Sequence, residues 1–585
     1  MKSARSMVDN TEREAIKKIA LLNALNYGGK AQFQPVLGKL LTEQPQLKTK
    51  IKEIAPIIQG IVAEVNKLPI EKQKKIVEEK WPEALVKTRV EVERTLPSLS
   101  NVDKYERVVT RFAPNPDCML HLGSARAIVL CDEYAKMYNG SFRVRLEDTD
   151  PRLKRSALPF YAAIPVDLKW LGCKWDMEVI QSDRLPAYYE YAEKLLASGA
   201  AYVCACTSEK FRKLITTKKP CPCRDLPASE HLARWKYMLN GTYKEGEAVV
   251  RIKTDLKHPN PAVRDWPALR IINPKKYPHP RVGDKYRVWP LYNFSAGVDD
   301  HLMGVTHIIR GKEHLANQTR QEYMYEHLGW HYPEAIHYGR MKIVGGLLSK
   351  SKIVEGVKKG AFTGWDDPRL ATFIALRKRG ILPETIRRLI IEVGPKTVDV
   401  TLSWENLYAV NRKLLDPITD RYFFVRDPRK LKVTKIPEVT LAHLPLHPDN
   451  SKRGFREFRI EPQKGAAEFW IATQDANLLK NGQIVRLMGL FNMRIEDVEA
   501  GVVEASFHSK GHEEARKLGA PLIHWLPVGT GIPCEVVMPD ATVARGIAED
   551  TCRQLKPDTT VQFERFGFAR IDSIEWKLTA YYAHR

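Results

Sequence analysis

The stretch RVVTRFAPNPDCMLHLGSARAIVLCDEYAKMYNGSFRVRLE, from Arg107 to Glu147, decides the fold. Its first part, Arg107 to Ala113, is a short β-branched run and predicts a buried strand. A proline-bounded loop, Pro114 to Pro116, breaks that run. Leu120 to Tyr138 then reads as a helix, with Ala125, Ile128, Val129 and Tyr134 available for packing and Gly140 as its stop. Ser141 to Glu147 reads as a second strand. Strand, loop, helix and strand in this order open a doubly wound nucleotide-binding fold.

The turn at His121 and Gly123 is the first candidate for chemistry. A glycine at a helix start lets a phosphate approach backbone N–H groups, and the helix dipole favours the anion. His121 can donate to a phosphate oxygen as charge develops there. A bare His-x-Gly, however, more often marks an ordinary turn with a packing histidine, so its surroundings must decide.

Outward from this stretch the chain divides by texture. Residues 1 to about 100 read as helical, because Ile54, Ile57, Ile58, Ile61, Val62 and Val65 recur at three- and four-residue steps and form one apolar face. Glu71 to Lys80 is rich in charge, and Glu91 to Tyr105 reads as a linker. Residues 200 to 288 read as an insertion, with cysteine pairs, many prolines and no clean alternation of strand and helix. Thr306 to Arg310 predicts another strand and Leu315 to Leu328 a helix, and residues 365 to 412 read as helical. Beyond Asp416 the pattern turns to short strands with turn signals, such as GQIVRLM from Gly482 and TVQFERFGFARI from Thr560. These favour β-barrels at the C-terminus.

With 585 residues, the chain has room for about four domains of ordinary size. Apolar residues make up 44% and charged residues 28%, which excludes both disordered and membrane compositions. No run approaches the roughly 20 apolar residues that span a bilayer. The start carries no apolar leader, so a cytoplasmic protein is expected. The formal net charge is +23 and is spread along most of the chain. That excess fits either a basic solvated surface or a large polyanionic partner.

Of nine cysteines, five are scattered: Cys118, Cys131, Cys173, Cys534 and Cys552. These read as small buried hydrophobes. The other four form two Cys-x-Cys pairs, Cys204 with Cys206 and Cys221 with Cys223. That spacing can close a tetrahedral structural zinc site. The alternative is four reduced thiols in a loop.

RFAPNPDCMLHLGSARA, from Arg111, resembles the HIGH signature of class I aminoacyl-tRNA synthetases in its glutamyl/glutaminyl version. Further segments follow in that family's order. They are FRVRLEDTDP from Phe142, YNFSAGVDDHLMGVTHIIRGKEHLANQ from Tyr292, LLSKSK from Leu347 (like the KMSKS loop) and GWDDPRLATFIALRKRG from Gly364. The resemblance covers residues 105 to 585. The N-terminal hundred residues look like a helical extension of some archaeal and eukaryotic members. Two positions depart from the pattern: the fourth HIGH residue is Ser124, and the first KMSKS lysine is replaced by Leu347.

The resemblance implies a multidomain α/β protein. A helical domain over 1–100 would precede a Rossmann-type catalytic domain, whose first half is 101–200 and second half 289–345. Residues 201–288 would be an acceptor-binding insertion, 346–412 the KMSKS-like loop with a helical subdomain, and 413–585 two β-barrels binding the anticodon. Barrels there point to the archaeal/eukaryotic branch. The implied reaction is ATP-dependent attachment of glutamate to tRNA(Glu) through a glutamyl-adenylate, with glutamine as the rival substrate. Glutamate activation would require bound tRNA. ATP would enter with Mg²⁺, and zinc would sit in the insertion, near the tRNA acceptor end. The family is usually monomeric. Archaeal members often charge tRNA(Gln) as well, and the sequence leaves this open.

By the same resemblance, His121 and Lys350 are the expected catalytic residues. Pro114, His121, Gly123, Ser124, Ser349 and Lys350 would hold ATP. Arg111 and Arg310, at the ends of two strands, would bind the carboxylates of glutamate. Glu147 would take its ammonium group and Tyr292 would offer a hydroxyl. Arginine suits such a site because its fork matches a carboxylate. Glu147, where glutaminyl enzymes typically carry Asp, and Arg310 together favour glutamate.

Overall fold

The structure, a computed structural model, describes residues 10–44, 47, 51–81, 95–346, 350–498 and 501–585. The chain divides into two compact units, Met1–Glu93 and Arg94–Arg585. Among its described residues the first contains four α-helices, Asn10–Asn26, Phe33–Glu43, Ile51–Asn66 and Ile70–Lys80. The third presents Ile54, Ile58, Ile61 and Val65 to a core with Ala20, Val36 and Leu40, as its three- and four-residue spacing predicts. Buried Gln73 donates through Nε2 to Gly29 O and Val65 O, at 2.9 and 3.0 Å. An amide there ties the turn at Gly29 to the end of the third helix.

The second unit is built on five parallel strands. They are β1 (Val109–Phe112), β2 (Ser141–Leu146), β3 (Met177–Ile180), β4 (His307–Gly311) and β5 (Glu334–Tyr338). β2 lies between β1 and β3, and β4 pairs with β5. Thr306 joins the two groups: its N donates to Val109 O at 3.0 Å, and its Oγ1 accepts from Val109 N at 2.8 Å. The spatial order is therefore β3-β2-β1-β4-β5. Strand order reverses between β1 and β4, and a crevice opens there at the strands' C-terminal ends.

The helix after β1 runs Leu122–Met137, starting two residues later than its apolar pattern predicts. Leu120 and His121 instead join backbone to backbone with a distant segment: Leu122 N donates to Ala371 O and Phe373 N to Leu120 O. For the same reason residues 365 to 372 are not helical, contrary to expectation. Asp367 accepts from Thr363 N and from Arg369, folding a tight loop. Helices follow only at Phe373–Lys378, Pro383–Val393 and Trp404–Leu415. Arg126 is fully buried; it donates to the carbonyls of Gly339, Gly394 and Lys396, tying this helix to the chain after β5.

Residues 201–290 contain an antiparallel sheet of four strands, Ala201–Cys204, Val249–Ile252, Pro267–Ile271 and Val288–Pro290. Trp235, Trp266 and Trp289 fill its core against helices Leu185–Ala197 and Ala228–Asn240.

The C-terminal region forms two seven-stranded sheets. One begins at Arg421–Tyr422 and ends at Phe424–Arg426, which are adjacent in the chain; the other has Leu522–Ile523 and Leu526–Pro527 as its edges. Because both edge strands of each sheet belong to one short segment, each sheet curls round into a partly closed barrel. The second barrel is inserted into the first, between Arg426 and Ile532. Among the described residues no helix is long and apolar enough to cross a membrane.

Candidate active site and metal centre

Arg111 and Arg310 both point into the β1/β4 crevice region, but their surroundings differ. Arg111 is buried and donates through Nε and Nη2 to the two oxygens of Asp300, at 3.0 and 3.3 Å. Asp300 also accepts from Arg145 Nη1 at 2.6 Å. Burial pushes the Asp300 carboxyl up, but the two guanidiniums outweigh it and hold it at about 2. Arg145 continues to Glu147 Oε1 at 2.9 Å. Burial dominates at Glu147, and its pKa is raised despite that contact.

Arg310 has no carboxylate partner among the described residues. It donates to Gln321 Oε1 at 3.0 Å and to the Tyr332 hydroxyl at 2.8 Å, while its buried Nε has no partner. The neighbouring imidazoles add no charge. Burial and then Arg310 push His314 down to about 4, and the same two causes lower His337. The carboxylates Glu147, Asp299 and Asp300 are matched by Arg111, Arg145 and Arg184. The guanidinium of Arg310 is left over. An uncompensated buried cation is costly unless a ligand supplies the anion. Tyr292, at the start of helix Tyr292–Leu302, is half-buried beside these charges, and its ring meets His314 at 5.5 Å.

His121 is the N-cap of the helix Leu122–Met137. Its Nδ1 accepts the Gly123 N–H at 3.0 Å, so the proton of the neutral ring resides on Nε2. Burial lowers its pKa, which keeps that form. Ser124 completes a capping box: its hydroxyl donates to His121 O and accepts from His121 N. The Gly123 and Ser124 groups nearest the turn are thus spent on shaping it, and the imidazole Nε2–H is the outward donor. Pro114 O accepts from Glu147 N at 2.9 Å, which fixes the loop after β1 to the end of β2.

Lys350 opens the helix Lys350–Lys358 and reaches the Asp117 carboxylate at 2.7 Å. The structure therefore brings the lysine to the loop that carries His121. Ser349 lies outside the described residues.

The four clustered cysteines converge. Cys204, Cys206, Cys221 and Cys223 keep their sulfurs within 4.8 Å of one another, with Cys221 at 3.5 and 3.4 Å from Cys204 and Cys206. A tetrahedral zinc with bonds of about 2.3 Å needs edges of about 3.8 Å, so the donor set fits that ion. Arg224 braces the loop through Asp265, at 2.9 Å, and Asp265 also accepts from Tyr202 at 2.8 Å.

Sequence reasoning did not single out Asp117, Arg145, Asp300, Gln321 or Tyr332. Arg145 and Asp300 stand within motifs quoted for other residues, but their roles depend on partners from other strands and helices.

Residues 107–417 match the family described as tRNA synthetases class I (E and Q), catalytic domain. Residues 419–510 and 522–572 match two anti-codon binding domains of the same group. The chain belongs to the class I tRNA synthetases of the E and Q type. Similar relatives include the glutamate–tRNA ligase of Pyrococcus abyssi, 54% identical over 98% of this chain and all of that protein. That of Pyrococcus furiosus is 52% identical over 97% of this chain and 99% of its own length. That of Methanopyrus kandleri is 44% identical over 99% and 100%.

In this synthetase, both barrels contribute to a cavity of about 240 Å³ lined by Arg421, Arg486, Glu564, Pro445, Met488 and His512. The buried Nε atoms of Arg421 and Arg486 have no hydrogen-bond partner.

Proposed function

We propose that the protein ligates glutamate to tRNA(Glu) in two steps. The α-carboxylate of glutamate attacks the α-phosphate of ATP and pyrophosphate leaves; a terminal ribose hydroxyl of the tRNA then attacks the acyl carbon of the glutamyl-adenylate, forming the ester and releasing AMP. The observation that carries the choice of glutamate is the buried Arg310 with no carboxylate partner among the described residues. Glutamate supplies the missing negative charge, whereas glutamine leaves it uncompensated. The full-length similarity to glutamate–tRNA ligases supports the same reading.

Arg310 binds the side-chain carboxylate, and Arg111, whose charge Asp300 already matches, adds a hydrogen-bond donor through Nη1, which lies outside that pair. Glu147 receives the ammonium group and Tyr292 a hydrogen bond. His121 Nε2–H donates to a phosphate oxygen as charge builds there, and Lys350 exchanges Asp117 for the leaving pyrophosphate. Pro114, Gly123, Ser124 and Ser349 shape the ATP-binding surface. Mg²⁺ accompanies ATP. Zinc, held by Cys204, Cys206, Cys221 and Cys223, would supply rigidity to the acceptor-facing insertion. The two barrels, whose residues match anti-codon binding domains, would receive the anticodon.

Aminoacylation of purified tRNA(Glu) and tRNA(Gln) with each amino acid tests the proposal. Charging with glutamate is expected. Charging with glutamine alone overturns it, and charging of both tRNAs with glutamate shows a relaxed tRNA range.

A further inference from the structure

We infer that Gln321, aided by Tyr332, is a specificity-determining residue: it holds the Arg310 guanidinium with neutral acceptors so that its charge stays available to the substrate. The inference rests on Arg310 as the receptor for the substrate's side-chain carboxylate.

Gln321 is fully buried on helix Leu315–Leu328. Its Nε2 donates to Asn293 O at 3.3 Å, which turns Oε1 toward Arg310. The same Oε1 accepts from the Tyr332 hydroxyl at 2.9 Å, and that hydroxyl accepts from Arg310 Nη2. The three groups close a ring of hydrogen bonds in which only Arg310 is charged. Close approach of the two helices places Gln321 there. At Gly297 an added Cβ would lie 2.4 Å from Met324 Cε, and Tyr325 donates to Gly297 O at 2.8 Å.

The contrast with Arg111 shows what this arrangement avoids. Arg111 meets a carboxylate, Asp300, and its charge is matched inside the protein. A carboxylate at position 321 would match Arg310 in the same way and would repel a substrate carboxylate across a desolvated gap. Such like-charge juxtaposition is strongly unfavourable. An amide orients the guanidinium without spending its charge.

Gln321→Glu and Gln321→Met test this in amino-acid-dependent pyrophosphate exchange with tRNA(Glu) present. Both nearly preserve side-chain length and both lose the bond to Asn293 O; Gln321→Glu keeps an acceptor for Arg310 and Tyr332 and adds a negative charge, whereas Gln321→Met removes the acceptor and adds no charge. Gln321→Glu is expected to raise the KM for glutamate about 100-fold or more, with the KM for ATP changed less than about threefold. Its preference for glutamate over glutamine should narrow by a comparable factor. Gln321→Met should raise the KM for glutamate less than about tenfold. Equal effects of the two variants, or equal effects on glutamate and ATP, overturn the inference. Arg310→Ala with an unchanged KM for glutamate would instead fail the underlying assignment of Arg310.

Discussion

The Lys350 ammonium sits 2.7 Å from the Asp117 carboxylate, so the cation expected at the ATP phosphates is held on the loop that carries His121. The lysine is partly exposed, and a pair of this kind contributes about 0–1 kcal/mol. It can therefore be exchanged for a polyphosphate at little cost. On the proposed assignment of Lys350 to ATP, Asp117 would be a placeholder that keeps the lysine within the site before ATP arrives.

Two substitutions separate these parts. Lys350→Ala should lower kcat by about 10²–10³-fold, the range for losing one electrostatic stabiliser of a transition state. Asp117→Asn should leave kcat within about threefold and lower the KM for ATP about two- to fivefold, because ATP no longer competes with a carboxylate. Steady-state pyrophosphate exchange reads both. A higher KM for ATP in Asp117→Asn would show that Asp117 orients the lysine instead.

His121 has two separable duties, capping the helix through Nδ1 and presenting Nε2–H. Asn can cap a helix but does not extend to the Nε2 position. His121→Asn should therefore retain thermal stability within about 0.5 kcal/mol while kcat falls about 100-fold. His121→Ala should show the same kinetic loss and a further cost of about 1 kcal/mol from the missing cap. Thermal denaturation alongside exchange kinetics distinguishes the two.

Zinc analysis of purified protein should give about one equivalent. Chelation, or Cys221→Ser, should lower the thermal stability of the insertion, because four unmetallated thiols would replace a closed metal site. Less than about half an equivalent, with stability unchanged by chelation, would rule out structural zinc.

The folded protein should lose stability as pH falls below about 6.5. Burial pushes His314, His524 and His584 each down to about 4 from the ordinary 6.5. The unfolded chain then takes up protons that the folded protein refuses. Stability from these groups is fully present above about 6.5 and is lost progressively toward pH 4, by up to about 1.4 kcal/mol per pH unit for each group. Geometry gives the same sign at two of them. His584 Nε2 accepts from Asn411 Nδ2 at 2.9 Å, and His524 Nδ1 accepts from Arg565 Nη1 at 3.2 Å. Asn411 is committed to donating there, since its Oδ1 already accepts from Leu382 N and Thr385 Oγ1. His524 Nε2 also bonds Phe424 O, joining the two barrels. Thermal unfolding between pH 7.5 and 5 should show a falling midpoint, and a flat profile would contradict this.

Local pattern carried the strand at Val109–Phe112, the capped helix beginning near His121, and the strand at Ser141–Leu146, because each follows from apolar spacing and turn residues nearby in the chain. The apolar face of Ile51–Asn66 was legible for the same reason. The cysteine pairs were visible as a metal-binding pattern because ligand spacing is itself local. By contrast, helix was expected across residues 365–372. That segment instead bonds Leu120 and Leu122 through Ala371 and Phe373, and no local rule anticipates a partner so far along the chain. The insertion of one barrel into the other was hidden similarly, since strand pairing between residues near 424 and 548 leaves no mark on either segment alone.

The sequence by itself determined which residue types stand at the candidate site, the order of their motifs and the family they belong to. It set Arg111 and Arg310 side by side as equivalent cations. Only the tertiary structure told them apart, because the free charge of a guanidinium depends on what packing brings within a few ångströms of it. Asp300 comes to Arg111 from the helix before β4, and an amide comes to Arg310 from the helix after β4. That difference in partners leaves Arg310, rather than Arg111, with charge to offer.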